Sequence, residues 1–208
     1  AAEALSKARH AAAEELQRRI VEELRGLSMP SVRFAVEFTP IESGCGFDRS
    51  GCDQIRFTMS ANAGEELGRI SRIASGGELS RIMLAMKNVF AENDPVQTMI
   101  FDEIDTGVSG VAAQRVGEKL FQVSLGKQVM CVTHLPQIAA MADSHYVIKK
   151  EERSGRTYTD VLPLDKEGRL RELARLHGGD NITELTLASA AEQLENAAKF
   201  KETVKKRP

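Results

Sequence analysis

The chain has 208 residues, which is enough for one large domain or two small ones. Hydrophobic residues make up 42% and charged residues 28%, and 28 Lys and Arg against 30 Asp and Glu give a net charge of -2, so the composition is that of a globular protein without bulk attraction for polyanions. No apolar run approaches the roughly 18 residues of a membrane span, no signal-peptide pattern precedes the fold, and the three cysteines form neither a paired framework nor a CxxC motif; we therefore expect a cytoplasmic protein without a membrane partner.

Residues 1–27 predict one long amphipathic helix. Small and apolar side chains recur at helical spacing, charged residues occupy the other faces, and no Gly or Pro intervenes before Gly26. The apolar positions are Ala4, Ala8, Ala12, Leu16, Ile20, Leu24 and Leu27. Such a helix suits a coiled-coil strand or an ordinary helix packed on the fold, and the pattern does not decide between them.

Two alternating segments follow the first helix and predict an antiparallel hairpin. Apolar residues alternate with polar or small ones from Val32 to Phe38, with a stop at Pro40, and again from Ile55 to Met59. The connection between them, residues 44–51, contains three glycines, which favours a turn.

Beyond Gly64 the pattern changes to helices and strands in alternation, which predicts an α/β architecture of layered sheet and flanking helices with parallel strand pairing. We expect helices at 76–92, 111–123, 136–141, 168–177 and 183–199, and strands at 96–101, 128–132, 145–149 and 157–162. The apolar face of the first of these helices is predicted to consist of Leu79, Ile82, Met83, Met86, Val89 and Phe90. The basic run from Lys199 to Arg207 is expected to be a solvated, frayed end.

The motif SGGELSR, residues 75–81, falls at the start of the helix predicted from Gly76. Gly76 and Gly77 let the backbone approach a ligand closely, the free N–H groups of the first turn suit an anion, and Ser75 adds a hydroxyl in the cap position. Taken alone, the motif is also typical of a capped helix with a flexible entry.

The motif MIFDEID, residues 99–105, places Asp102 and Glu103 at the carboxyl end of a buried strand. In open α/β sheets that edge is where ligands bind, and a buried apolar strand that ends on two carboxylates suggests a cation or a reacting group. One carboxylate can hold Mg²⁺ while its neighbour orients or deprotonates a water. The alternative is a pair of surface acids that cap the next turn.

A single histidine, His134 in the motif CVTHLPQIA, follows the strand predicted at 128–132. A lone histidine is commonly structural. If the two strands pair in parallel, however, their ends meet and His134 lies beside Asp102 and Glu103, where an imidazole can donate to a phosphate oxygen.

The three motifs in this order resemble the second half of an ABC-type ATPase head. Ser75, Gly76, Gly77 and Glu78 resemble the signature motif, Met99 to Glu103 resembles Walker B with its catalytic acid, and His134 resembles the switch histidine. Asp105 to Gly110, DTGVSG, occupies the D-loop position. The SGGE form is similar to the chromosome-maintenance and DNA-repair branch of this family, in which residues 1–29 would be the base of a coiled-coil arm and residues 30–208 the C-terminal lobe of the head.

The resemblance implies roles with ATP and Mg²⁺. Asp102 would be the acid on the Mg²⁺ side, Glu103 the base or water positioner, and His134 a contact of the γ-phosphate. Asp105 would communicate across a dimer. The signature motif would bind the γ-phosphate of a nucleotide held mostly by a second head protomer.

One departure from the family concerns the phosphate loop, G-x-x-x-x-G-K-[ST]. It is absent, and the nearest string, SLGKQ at residues 124–128, lacks the first glycine and the Ser or Thr. We expect an N-terminal half of the same protein to supply it, so that this chain alone is inactive and the complete protein is a nucleoid-associated ATPase that acts on DNA in double-strand-break repair. Two alternatives stay open: a fragment of a transporter ATPase, and a scaffold that has lost turnover.

Overall fold

The structure is a computed structural model that describes residues 1–42, 44–70, 76–90, 95–153 and 155–206, with Arg153 described by its backbone alone. Within these residues no helix is both long and apolar enough to cross a membrane. The chain divides into two compact units, Ala1–Gln97 and Thr98–Pro208, which are described in turn.

The N-terminal unit consists of two helices and a small antiparallel sheet. Its elements are α1 (Ala2–Gly26), β1 (Arg33–Pro40), β2 (Asp53–Ser60), β3 (Gly68–Arg69) and α2 (Gly76–Phe90). The predicted hairpin is confirmed, since β1 and β2 pair antiparallel over their whole length. The two-residue strand β3, which pairs with the end of β2, was not predicted.

Helix α1 lies along the β1–β2 hairpin. Its C-terminal half is in the core, where Ile20 and Leu24 are fully buried. Its N-terminal half makes polar and ring contacts: Ser6 donates to Asp53, and the His10 ring stacks on Phe38 with the ring centroids 3.8 Å apart. Helix α1 is thus packed on the hairpin within this unit, and a coiled-coil arm that begins with residues 1–29 stays a prediction.

The exposed side of α1 carries part of the predicted apolar stripe. Ala4, Ala8 and Ala12 are exposed, whereas Ile20 and Leu24 are buried. A strict four-residue spacing advances about 40° per step around a helix of 3.6 residues per turn, so Ala4 and Ile20 point about 160° apart. The stripe is thus two separate faces, and only one of them meets the hairpin.

Helix α2 packs on α1 through a face that differs from the predicted one. Ile82 and Val89 are buried as expected, but Leu84 is also fully buried, while Leu79 and Met83 are 38% and 41% exposed. The sequence of α2 is apolar on two sides, and the contact with α1 selects one of them. The end predicted at Glu92 lies outside the described residues.

The C-terminal unit begins with two short parallel strands. Strand β4 (Thr98–Phe101) leads to helix α3 (Gly110–Ser124), and strand β5 (Gln128–Cys131) leads to the one-turn helix α4 (Pro136–Ala139). The two strands pair in parallel from Thr98 opposite Gln128 to Phe101 opposite Cys131, so the predicted parallel pairing is confirmed here.

The next two strands form a separate antiparallel hairpin. Strands β6 (Tyr146–Arg153) and β7 (Arg156–Pro163) pair along their full length. The expectation that the strand at 145–149 joins the parallel pairing is therefore wrong among the described residues. The physical reason is a tight turn at Gly155, with a positive φ of 73°, which brings β7 back directly beside β6 before any crossover helix can form.

Two C-terminal helices cover α3 and α4. Helices α5 (Lys166–Gly178) and α6 (Glu184–Lys205) pack with them in a core of buried and half-buried apolar residues that includes Phe121, Met141 and Leu173. The expectation of a frayed, solvated basic end is wrong for Lys201, because α6 continues to Lys205 and the Lys201 side chain is only 15% exposed. Lys199, Lys205 and Lys206 are exposed as expected, and Arg207 lies outside the described residues.

Candidate functional site

Strands β4 and β5 end side by side, and this places the predicted acids and histidine at one edge. The pairing extends one residue past both strands, where Val132 N donates to Phe101 O at 2.9 Å. The segment after β4 therefore begins next to the segment after β5, which contains Thr133 and His134. Asp102, Glu103 and Asp105 thus follow β4 at the edge where His134 follows β5, and their joint action as one site stays a prediction.

Asp105 ties the two segments together from inside the protein. Its side chain is 4% exposed, and its Oδ2 accepts hydrogen bonds from Thr133 Oγ1 at 2.6 Å and from His134 N at 2.9 Å. The imidazole Nδ1 of His134 lies 3.0 Å from the same oxygen. A carboxylate with three donors around one oxygen is a fixed anchor, because each bond to a charged acceptor is stronger than a neutral one. Asp105 therefore has a structural role within the chain, in addition to the role across a dimer that was predicted for it.

The His134 ring is held at one nitrogen and is otherwise open, with a side chain that is 73% exposed. When Nδ1 donates to Asp105, the neutral ring presents Nε2 as an acceptor, and only the doubly protonated ring can donate from Nε2 to a phosphate oxygen. Asp105 is the counter-ion for that charged form. The arrangement can therefore aim a cationic donor outward from a buried anchor.

Asp102 and Glu103 occupy a tight turn directly after β4. Both residues are exposed, and Glu103 N donates to Asp102 Oδ1 at 3.0 Å. Glu103 has a φ of 56°, in the left-handed region that a residue with a Cβ adopts at a cost. The next residue, Ile104, is fully buried and fixes the turn from below. A strained residue of this kind, held by its neighbours, is a common feature of functional sites.

Cys131, the last residue of β5, lies beneath these acids. Burial, and to a smaller extent the nearby carboxylates of Asp105 and Asp102, raise the pKa of its thiol to about 12. The thiol is therefore protonated at neutral pH and is a poor nucleophile.

The residues of the signature motif belong to the N-terminal unit. Ser75 lies outside the described residues. Gly76 and Gly77 form the first turn of α2, with Gly76 exposed and Gly77 buried, and Glu78 is half-buried in the same turn.

Asp102 fits the requirements of a magnesium ion that is shared with a substrate. Within the described ranges, no three His, Cys, Asp or Glu side chains form a group that could hold a metal. Mg²⁺ usually takes only one or two protein carboxylates, and water and substrate phosphates complete its octahedron. An exposed carboxylate at the end of a parallel strand suits this mode of binding.

One contributor to the site was not predicted. Thr133 donates to Asp105 and accepts from Leu135 N at 3.1 Å, so it shapes the chain on both sides of His134. The sequence signal was a hydroxyl residue directly before a histidine at a strand end, which is too common to be read without the geometry.

Solved structures of SMC heads share the fold of this chain. The Smc head domain with a coiled coil and joint from Pyrococcus yayanosii matches with a TM-score of 0.56 at 23% identity, over 79% of this chain and 29% of that one. A chain from work on ATP-driven dimerization and DNA stimulated activation of SMC ATPases matches with a TM-score of 0.51 at 22% identity, over 84% of this chain and 99% of that one. The protein therefore has the α/β fold of part of an SMC-type ATPase head, and the predicted fold class is confirmed.

Similarity in sequence is more specific. The chain is 43% identical to the DNA repair protein RecN of Bacillus subtilis, over 96% of this chain and 37% of that protein. It is 45% identical to RecN of Halalkalibacterium halodurans and 44% identical to RecN of Treponema pallidum, in each case over 35% of the relative. No family model matches the sequence. Over nearly its whole length the chain is therefore similar to RecN proteins, and it spans about a third of the length of these relatives.

Proposed function

We propose that the chain is the C-terminal part of an ATP-hydrolysing, dimerising DNA repair protein, and that it supplies the catalytic acid, the magnesium-side acid and the switch histidine. One observation carries the proposal: two exposed carboxylates follow β4 at the edge where a histidine follows β5, and the buried Asp105 links the two segments. The similarity to RecN proteins favours DNA repair over transport as the setting.

Each residue at this edge has a proposed task. Asp102 holds the magnesium side of the site, where the bound ion would neutralise phosphate charge. Glu103 orients the attacking water and takes its proton, for which an exposed carboxylate on a fixed turn is suited. His134 donates from Nε2 to the terminal phosphate, with Asp105 as its counter-ion. Phosphoryl transfer depends mainly on positioning and on charge stabilisation, which are what fixed groups of this kind provide.

An N-terminal half of the same protein is the proposed source of the missing phosphate loop. The outer face of the β4–β5 pair supports this, because Ile100, Met130 and Val132 are 70%, 53% and 50% exposed. Within the described residues each of these strands pairs only with the other. A two-stranded sheet with a bare apolar face is marginal in water, so a further part of the protein is expected to cover it.

The signature motif is proposed to act in trans, on the nucleotide of a second head protomer. Gly76 and Gly77 lie at the start of α2, and the N–H groups in the first turn of a helix suit an anion. In the complete protein, Ser75→Arg should block ATP-driven dimerisation and leave nucleotide binding by each head nearly unchanged. A fall in the ATP affinity of the monomer on this substitution would instead indicate a role in cis.

Residues 1–29 are proposed to begin a coiled-coil arm, and residues 30–208 to form the C-terminal lobe of the head. The exposed face with Ala4, Ala8 and Ala12 supports the arm, because small residues allow a second helix to approach closely. DNA would be contacted by the complete protein, since a net charge of -2 offers this chain few uncompensated phosphate contacts.

Reconstitution tests the proposal. The 208-residue chain alone should neither bind ATP tightly nor hydrolyse it, and addition of the preceding half with its phosphate loop should restore turnover. Asp102→Asn in the restored protein should shift the Mg²⁺ dependence to higher concentration. A restored protein that binds ATP and dimerises without measurable turnover would identify a scaffold and exclude the catalytic assignment.

A further inference from the structure

The segment that follows His134, residues 135–143, is held at its C-terminal end by two cations from helices α5 and α6. Arg169 of α5 donates through Nη2 to the carbonyl oxygens of Ala140 at 2.8 Å and Ala142 at 2.5 Å, with Ala139 O at 3.4 Å. Lys201 of α6 donates to Ala142 O and to the Asp143 carboxylate, both at 2.9 Å. These carbonyls belong to the end of α4 and the residues directly after it, the helix that begins two residues beyond His134.

Both cations are withdrawn from solvent to make these bonds. Burial lowers the pKa of Arg169 and of Lys201, which means that the protein places charged groups where their charged form is less favourable. The Lys201 ammonium lies 5.2 Å from the centroid of the Phe121 ring, which adds a cation–π contact. Buried charges are costly unless they are paired and hydrogen-bonded, so the contacts with the carbonyls give a reason for their position.

The last carbonyls of a helix lack partners within it. Pro136 O, Ile138 O and Ala139 O accept from backbone N–H groups of the residues that follow, and the cations bind chiefly the next carbonyls, those of Ala140 and Ala142. Cations at a helix C-terminus satisfy such carbonyls and interact favourably with the helix dipole. At its other end, α4 is joined to the site through Leu135, whose carbonyl accepts from Ile138 N and Ala139 N, both at 3.1 Å.

Helix α3 supports α4 from a third side. A Cβ at Gly117 would lie 3.1 Å from Gln137 O and 3.2 Å from Ile138 Cα, so the backbones of the two helices are in close contact. The segment from Leu135 to Asp143 is thus fixed by α3, α5 and α6 together.

We propose that Arg169 and Lys201 are positioning residues for His134. They fix α4 to the C-terminal helices, and the position of α4 sets where the histidine stands against Asp105. The inference rests on the proposed function in giving His134 its task. The inference goes beyond the proposed function because it assigns α5 and α6 a part in the site. A disturbance of these helices would then change the position of His134 without any substitution at the strand ends.

Hydrogen exchange in the 208-residue chain tests the positioning role without nucleotide. Arg169→Met and Lys201→Met remove the donors and keep the length of the side chain. The matched controls are Arg171→Met and Lys199→Met on the same helices, whose cations form exposed ion pairs with Glu167 and Glu195. Lys201→Met, which retains the apolar stem against Phe121, supplies the measurement if Arg169→Met does not fold.

The amide of His134 is the reporter, because it donates to Asp105. In Arg169→Met and in Lys201→Met this amide should exchange about ten- to a hundredfold faster, the range expected for the loss of hydrogen bonds to a charged group. In both controls it should stay within about twofold of the parent, as expected for exposed ion pairs. Amides of the β6–β7 hairpin should not change in any variant. Faster exchange confined to residues 139–143, with the His134 amide unchanged, would overturn the proposal, since the cations would then only cap α4.

The complete protein provides a second readout with a conservative rescue. Arg169→Met should lower kcat for ATP hydrolysis about tenfold with little change in KM, and Arg169→Lys should recover part of the loss, because one ammonium can satisfy some of the carbonyls. If His134→Ala lowers kcat and Arg169→Met leaves kcat unchanged, the positioning role is contradicted. If His134→Ala leaves kcat unchanged, the proposed function is contradicted instead, and the hydrogen-exchange experiment still tests the positioning role independently.

Discussion

Replacement of Asp105 by Asn should loosen the link between the two strand-end segments. The substitution keeps the shape of the side chain and removes its charge. Asp105 Oδ2 accepts from Thr133 Oγ1 and His134 N and lies within bonding distance of His134 Nδ1. Asn offers a neutral oxygen to the same donors, and its second position is a donor rather than an acceptor.

The expected loss follows from the difference between charged and neutral hydrogen bonds. Bonds to charged groups contribute about 1.5–3 kcal/mol each and neutral bonds about 0.5–1.5 kcal/mol, so weakening the set lowers stability by roughly 2–3 kcal/mol. A neutral amide is also less costly to bury than a carboxylate, which offsets part of this. We expect a net loss of about 1–2 kcal/mol in the free energy of unfolding, or roughly 2–8 °C in Tm for a chain of this size.

Tyrosine fluorescence during urea unfolding measures this loss of stability in the C-terminal unit, which contains Asp105. The chain has two tyrosines and no tryptophan, and both tyrosines, Tyr146 and Tyr158, lie in the β6–β7 hairpin of the C-terminal unit. The control is Asp180→Asn, an exposed aspartate, which should change stability by less than about 0.5 kcal/mol. If Asp105→Asn unfolds at the same urea concentration as this control, Asp105 is not the anchor inferred here.

Three further predictions concern single sites. Gly117→Ala should destabilise the fold by about 1–2 kcal/mol, because the new Cβ meets the α4 backbone. The control Gly26→Ala, which has open space around it, should stabilise the fold by about 0.5–1 kcal/mol through helix propensity. Equal shifts of the two variants in chemical denaturation would refute the close contact between α3 and α4. Glu103→Gly should be about 1 kcal/mol more stable than Glu103→Ala, because only glycine relieves the left-handed backbone, and equal stability would argue against strain there. The Cys131 thiol has a pKa of about 12 in the folded state, against an ordinary value of 9.0, so the free energy of unfolding should fall as pH rises from about 9 towards 12. Cys131→Ala should flatten this dependence on pH. The same dependence in parent and variant would count against the burial of the thiol.

The parts of the fold that the sequence predicted are those decided by local patterns. Alternating apolar residues on either side of a glycine-rich loop predicted the β1–β2 hairpin, and strands followed by helices predicted the parallel pair β4–β5. Because parallel strands end at the same edge, the placement of Asp102 and His134 at one edge of the pair followed from the pairing alone.

What the sequence did not reveal depends on contacts between distant residues. The apolar stripe of α1 looked continuous, yet the helix turns Ala4 away from the surface that buries Ile20. Lys201 looked like part of a solvated tail, and only the position of α4 shows what it binds. Asp105 matched a motif position, but its burial against Thr133 and His134 could not be read from spacing.

ATP hydrolysis by the complete protein with Glu103→Gln decides whether Glu103 is the catalytic base proposed for this site. Gln keeps the shape of the side chain and cannot take a proton, so ATP should still bind and the dimer should persist. Turnover should fall about 10²–10⁴-fold, the usual contribution of general-base catalysis. Glu152→Gln, on the exposed β6–β7 hairpin, is the matched control and should hydrolyse ATP at the parent rate. Near-normal turnover by the Glu103→Gln protein would contradict the account.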